Sequence, residues 1–267
     1  MKKRGIVDDH QARELRNTGS RPGILFGSTK VHKVGAPLRP IVSTIDTANY
    51  YLSKYVVGLL SGFVDSSYSV KDSFSFASEI SNIPNNSYFM CSFDVKNLFT
   101  MIPVDETIEI VLLKYFPNSD TIYKGFDRAL FKKVLDNCAK NNLVLFNNKS
   151  YFQIDGAPMG GCISPTLAEI FLDHHERRWL EDCPVNFKPM FYRRYVDDCF
   201  LLFQTESAAD SFLSYLNGKH PSIEFTCEKE VDNMLSFLDI NVHKDGSVFH
   251  TGLYRKPTFT GLKAKIH

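Results

Sequence analysis

The stretch FYRRYVDDCFLLF, residues 191–203, sets two adjacent acids, Asp197 and Asp198, between two runs of aromatic and aliphatic residues. Phe191, Tyr195, Val196, Phe200 and Phe203 suit a half-buried pleated surface, so each run reads as a strand. Two short strands around two turn-tolerant residues make a hairpin with the Asp-Asp pair at its tip. Such a pair is either a solvated polar turn or a pair of ligands. The rest of the chain decides between them.

The chain has 267 residues, 43% hydrophobic and 23% charged, which is enough to bury a large core in one domain or two. No apolar run reaches the ~18 residues of a transmembrane helix. The start, MKKRGIVDDHQ, has basic residues but no apolar stretch behind them, unlike a secretory signal. Six cysteines, at 91, 138, 162, 183, 199 and 227, are never spaced as C-x-x-C and read as reduced intracellular thiols, with neither a zinc site nor a disulfide framework. The net charge of +1 hides an asymmetry: residues 1–40 carry nine Lys/Arg against three acids, and residues 253–267 carry four against none. The middle is therefore at −9, with 18 basic and 27 acidic residues. Basic ends around an acidic centre fit a polyanion held at the flanks of a cation site, although solvated surface charge gives the same pattern.

Residues 24–43 read as two short strands joined by a Lys-rich Gly/Pro loop, and 47–60 as a helix. A shorter helix is expected over 71–80 and a strand over 87–95, with Phe89, Cys91, Phe93 and Val95 on one face. After Pro103 the run VDETIEIVLLKYF begins with acids and continues at helical period. Residues 127–141 repeat that pattern, and 143–154 form a hairpin with an Asn-Asn-Lys turn. Ser164-Pro165 starts a helix to 180. Another helix spans 206–217, and the remainder is rich in strands. The pattern is α+β with largely antiparallel strands.

Asp94 lies near the end of the 87–95 strand and points away from Phe93 and Val95. Alone it reads as a cap or an ion-pair partner. Beside the Asp-Asp hairpin it gains a sharper meaning. Carboxylates within ~4 Å of one another repel strongly unless cations neutralise them. Magnesium prefers oxygen ligands, and two such ions can activate a 3′-hydroxyl and stabilise a leaving pyrophosphate.

Asp94, the Gly-rich segment near 160 and Tyr195-Val196-Asp197-Asp198 together resemble motifs A, B and C of reverse transcriptases. The resemblance is to the Penelope-like retroelement group, allied to telomerase. It covers nearly the whole chain: TKVHKVGAPLRPIVS resembles that group's fingers motif, SFDVKNLFTMIPVDE its motif A and GAPMGGCISPTLAEIFL its motif B. IEFTCEKEVDNMLSFLDI followed by YRKPTFTG resembles the end of its palm. The fold implied is a right-hand polymerase, with fingers over 1–86 and 118–155 and palm over 87–117 and 156–267.

By that resemblance, Asp94, Asp197 and Asp198 are the catalytic acids and hold two Mg²⁺ ions, Mn²⁺ being able to substitute. The Val95 carbonyl is a further ligand. Tyr195 positions the hairpin beside the primer end. Phe99, five residues after Asp94, stacks under the incoming sugar and excludes a 2′-hydroxyl. Met159 and Gly160 contact the nascent base pair, the glycine letting backbone approach closely. Lys30, Lys33 and Arg39 hold the triphosphate, Arg39 with a fork suited to phosphate. Lys229 is a candidate proton donor to pyrophosphate. The partners implied are an RNA template, a DNA primer and dNTPs, and no membrane; the location implied is intracellular, and nuclear for a eukaryotic retroelement.

The sequence departs from the family pattern in places. Ser28-Thr29 stand where Leu-Pro is usual, and Met159-Gly160-Gly161-Cys162 where Met-Gly-Ser precedes an apolar pair. After FTG only LKAKIH follows, which leaves no room for a full thumb or an endonuclease domain. Loss of a thumb's backbone contacts lowers affinity for the duplex. The function expected is therefore RNA-directed DNA polymerisation, the alternative being a truncated or decayed element product that binds nucleic acid and polymerises little. An RNA-dependent RNA polymerase is opposed by Phe99 and YVDD, and a three-carboxylate nuclease leaves the fingers motif unexplained.

Overall fold

The computed structural model describes residues 1–29, 35–64 and 67–255. In chain order come α1 (Asp9–Glu14), β1 (Gly23–Thr29), β2 (Leu38–Ser43), α2 (Tyr50–Leu60) and α3 (Ser73–Ser81). Next are β3 (Phe89–Val95), α4 (Leu98–Met101), α5 (Val104–Tyr115), α6 (Arg128–Lys140), β4 (Leu143–Phe146) and β5 (Lys149–Phe152). Then follow α7 (Ser164–Glu181), β6 (Phe191–Tyr195), β7 (Asp198–Phe203), α8 (Glu206–Asn217), β8 (Phe225–Lys229), β9 (Met234–Phe237), β10 (Ile240–Asp245) and β11 (Val248–Leu253). This is the expected α+β class, with sheets that are largely antiparallel. No helix of the described residues is long and apolar enough to cross a membrane. All six cysteines are free thiols.

The described residues fall into two compact units. The first holds residues 1–28, 39–64 and 97–178. Its sheet has the order β2-β1-β4-β5. β1 runs parallel to β4, pairing Gly23 with Val144 and Ile24 with Leu145, and β4 turns directly into β5. That turn is shorter than the expected Asn-Asn-Lys. Asn147 and Asn148 alone form it, both at positive φ (48° and 58°), while Lys149 already pairs with Phe146. Asparagine tolerates the left-handed region, which a two-residue hairpin of this kind demands at both positions. α5 begins with Asp105 and Glu106 in its first turn, where acids complement the helix dipole. Asp127 caps α6 by accepting from the Leu130 amide at 2.7 Å. The two helices pack together, and Ile108, Val111 and Leu112 of α5 and Phe131 and Leu135 of α6 are completely buried.

The second unit holds residue 29 and residues 35–38, 67–96 and 179–255. Its central sheet has the order β6-β7-β3-β8, antiparallel throughout. A three-stranded sheet follows in the order β11-β10-β9. Alternation gives the central sheet two faces. On one, Met90, Phe200, Leu202 and Phe191 pack with Phe76 and Ile80 of α3 and with Phe237, Val242 and Phe249 of the three-stranded sheet. The Phe76 ring lies 5.0 Å from Phe200 and 4.7 Å from Phe237. On the other face, Phe93 and Phe203 meet Phe212 of α8 at ring separations of 6.1 and 5.5 Å. Burying each such ring contributes roughly 1.5–3 kcal/mol, so α8 is held mainly by its apolar stripe. Thr205 caps it, its hydroxyl accepting from the Ala208 amide at 3.2 Å.

Candidate active site

The apolar cover of the first face ends at Ser92 and Phe200, which are cross-strand partners. The next pair toward the hairpin on that face is Asp94 and Asp198, directly opposite each other on β3 and β7. Directly opposite residues of an antiparallel pair project to the same side with Cβ atoms roughly 4.5–5.5 Å apart, so the register alone brings these two carboxylates together. The third acid arrives through the backbone. The Val95 amide donates to the Asp197 carbonyl at 3.0 Å, which fixes the tip of the hairpin to the end of β3. On the far side of β3, Asp94 is paired with Thr226, whose hydroxyl donates to the Asp94 carbonyl at 3.3 Å.

The hairpin differs by one residue from the sequence expectation of an Asp-Asp tip. Tyr195 pairs with Asp198, so the loop is Val196-Asp197 and Asp198 is the first residue of β7. Val196 sits at φ 57° and Asp197 is not among the positive-φ residues. Positive φ at the first central position is the place of glycine in a two-residue hairpin, and a β-branched residue there is strained. Valine favours strands, which is why the sequence placed it inside one. The shift puts Asp197 at the turn and Asp198 on the sheet face, so the two acids leave the backbone in different settings.

Beside these acids lies an open cleft of about 590 Å³, walled by Ser92, Tyr195, Asp198 and Glu228 of the central sheet, Asp72 and Ser73 at the start of α3, residues 236–239 and Tyr254. Tyr195 is 40% exposed and faces this space. The Tyr254 amide donates to the Asp239 carbonyl at 2.8 Å, which holds the end of β11 against the β9–β10 turn. Sequence reasoning found Tyr195 and Asp198 but missed the other walls, which come from segments as far apart as residues 72 and 254.

Lys229 is a correction. Thr226 pairs with Asp94, whereas Lys229 pairs with Cys91 on the opposite face of the sheet. Its ammonium is held by Glu206 at 2.8 Å and by Asp210 at 3.1 Å, both on α8. The hydrogen bonds it donates to Asp210 and then to Glu206 raise its pKa above the ordinary lysine value, which makes it a poorer acid. Strand alternation therefore turns it away from the carboxylates.

Phe99, Arg39, Met159 and Gly160 belong to the first unit. Asn97 at φ 52° starts α4, which buries Leu98 at 2% exposure and leaves Phe99 half-exposed. The two adjacent apolar residues thus divide: Leu98 fills core and Phe99 keeps an accessible face. The Ala157 amide donates to the Phe99 carbonyl at 2.6 Å. The loop that follows is clamped to β2, with the Val42 amide donating to the Met159 carbonyl at 2.7 Å and the Thr44 hydroxyl to the Gly160 carbonyl at 3.3 Å. Gly160 is at φ 98°, and a Cβ there would come within 2.5 Å of the Val42 carbonyl oxygen. This glycine is required by a close approach within the fold. Arg39 is exposed on the same strand, β2. Lys30 and Lys33 lie outside the described residues.

Sequence reasoning also missed Arg194. Its side chain is 1% exposed, and Nη1 donates to the Val196 carbonyl at 3.0 Å. The signal was present in the alternation of Tyr192 and Arg194 on β6, which puts the guanidinium on a buried face.

Residues 31–241, well over half of the chain, match the family model of the reverse transcriptase (RNA-dependent DNA polymerase). The chain belongs to the reverse transcriptase family. None of the curated protein sequences matches it. Among solved structures, the domain is similar to apo telomerase from Candida tropicalis truncated from its C-terminal domain, at 12% identity and a TM-score of 0.60, over 83% of this chain and 53% of that one. It is similar to telomerase from Candida albicans in complex with a fragment of telomeric RNA, at 12% identity and a TM-score of 0.56, over 84% of this chain and 46% of that one. The Sicinivirus RNA-dependent RNA polymerase aligns at 13% identity and a TM-score of 0.57, over 92% of this chain and 56% of that one. These likenesses show the fold, a fingers-and-palm polymerase architecture. The domain spans about half the length of the telomerase chains it matches.

Proposed function

We propose that this domain copies RNA into DNA, adding dNTPs to a DNA 3′-hydroxyl, and that it comes from a Penelope-like retroelement allied to telomerase. The observation that carries the reading is the register of β3 and β7. It sets Asp94 opposite Asp198 while Val95 holds the Asp197 backbone beside them. In this reading the fingers span 1–86 and 118–155 and the palm 87–117 and 156–267.

The acids are hard oxygen donors, a set suited to Mg²⁺, with Mn²⁺ able to substitute. Asp94 and Asp197 would hold the two ions, with Asp198 and the Val95 carbonyl completing the set. When bound, the ions lower the pKa of the attacking hydroxyl and offset charge on the leaving pyrophosphate. The protein's own work is positioning. Tyr195, on the wall of the cleft, supports the primer end, and the cleft gives the primer strand a place along the palm. Phe99 presents its exposed face to the sugar and disfavours a 2′-hydroxyl. Met159 and Gly160 meet the nascent pair with backbone that β2 fixes. Arg39, with Lys30 and Lys33, draws the triphosphate in. An RNA template, a DNA primer and a nuclear site of action complete the reading for a eukaryotic element.

The likeness to the viral RNA polymerase makes sugar choice the discriminating test. With an annealed RNA template and DNA primer, Mg²⁺ and low salt, dNTPs are expected to extend the primer and rNTPs to fail. Extension with rNTPs alone would overturn the reading in favour of RNA synthesis. Tight hybrid binding without extension by either would favour a binding role.

A further inference from the structure

We propose that Arg194 is a positioning residue of this site, one that fixes Asp197 through the carbonyl of Val196. The inference rests on the reading of Asp197 as a metal ligand. A guanidinium at 1% exposure is costly to bury unless it is well hydrogen-bonded. One of its bonds goes to the hairpin tip, Nη1 to the Val196 oxygen at 3.0 Å. The backbone of Arg194 is itself anchored, its amide donating to the Tyr68 carbonyl and its carbonyl accepting from the Val70 amide, each at 2.8 Å. The donor therefore starts from a fixed strand.

What it holds needs holding. Val196 at φ 57° occupies a conformation that is strained for a β-branched residue and survives only where its surroundings impose it. The Val196 carbonyl belongs to the peptide that precedes Asp197, and the Asp197 carbonyl to the peptide that follows it. Arg194 grips the first, and the Val95 amide grips the second at 3.0 Å. Asp197 thus hangs between two pinned peptide planes, and its side chain leaves the backbone in a set direction. Arginine suits this role because its planar fork is rigid, and the point charge of lysine on a flexible stem does not reproduce it.

The test compares Arg194→Lys, Val196→Gly and the double variant with the unaltered chain, in two assays. The first titrates Mn²⁺ by electron paramagnetic resonance, scoring only the binding that Asp197→Ala removes. The second measures kcat and KM for dNTP in primer extension. Arg194→Lys is expected to weaken that Mn²⁺ binding and lower kcat by about 10–100-fold, the range for residues that orient a ligand, with a much smaller change in KM. Glycine accepts positive φ without strain, so Val196→Gly in the Arg194→Lys background is expected to recover most of both losses. A residue that merely stabilises the fold would lower the folded fraction and leave the Mn²⁺ affinity and the kcat of the folded chain unchanged. Unchanged Mn²⁺ affinity in Arg194→Lys would overturn the proposal, as would a loss that Val196→Gly leaves in place, or failure of both the single and the double variant to fold. If the expected Mn²⁺ pattern appears in a chain that extends no primer, the positioning role stands and the polymerase reading falls.

Discussion

Phe99 and Gly160 show what single residues contribute. Leu98 is nearly fully buried and Phe99 is not, so replacing Phe99 should touch sugar selection more than stability. Phe99→Val is expected to raise rNTP use relative to dNTP by about tenfold or more, read as the ratio of kcat/KM values for the two substrates. Gly160 is constrained differently, by its φ of 98° and by the Val42 oxygen 2.5 Å from where a Cβ would stand. Gly160→Ala is expected to destabilise the fold by about 1–3 kcal/mol in urea unfolding. Gly58→Ala in α2, where a Cβ meets nothing within 4 Å, is expected to stabilise it by about 0.5–1 kcal/mol. The acids were legible from the residues around them. The strained turn was not, because valine at positive φ runs against every local preference.

Strands and helices decide which of the candidate residues can act together. Alternation identified β3, aromatic and aliphatic runs identified β6 and β7, helical spacing identified α5 and α6, and the Ser164-Pro165 start identified α7, because each is a local signal. Pairing across long separations left no such trace. Nothing local says that β1 lies parallel to β4, or that Lys229 pairs with Cys91 while Thr226 pairs with Asp94. With Lys229 turned to α8, Lys229→Met is expected to leave the extension rate within about threefold, a barrier change under about 0.7 kcal/mol. A rate loss of a hundredfold would return the lysine to the chemistry. The cap of α3 gives a pH test. Asp72 accepts from the amide and the hydroxyl of Ser75, each at 2.7 Å, and the amide bond above all holds its carboxyl below the ordinary 3.8. A depressed native pKa stabilises the fold above the unfolded value, and the benefit is lost as pH falls through the native one. The melting temperature of Asp72→Ala should therefore lie below that of the unaltered chain at pH 7, and the gap should narrow as pH drops below 3.8.

At the scale of the molecule, the order of the motifs along the chain revealed the family, and the family model matches residues 31–241. The cleft beside the acids was hidden because its walls come from four separate stretches, near 72, 92, 195–198 and 228–254. Charge is distributed to suit a polyanion, with a balance of +6 over residues 1–40 against the acids of the central sheet. Those acids carry the central claim, that Asp94, Asp197 and Asp198 form the site of nucleotidyl transfer. The most direct measurement is extension of a DNA primer on an RNA template with Mg²⁺ and dNTPs, the intact chain beside Asp197→Ala at matched hybrid binding. The expected result is extension by the intact chain and none by the variant. Equal extension by both, or none by the intact chain while the hybrid stays bound, would contradict it.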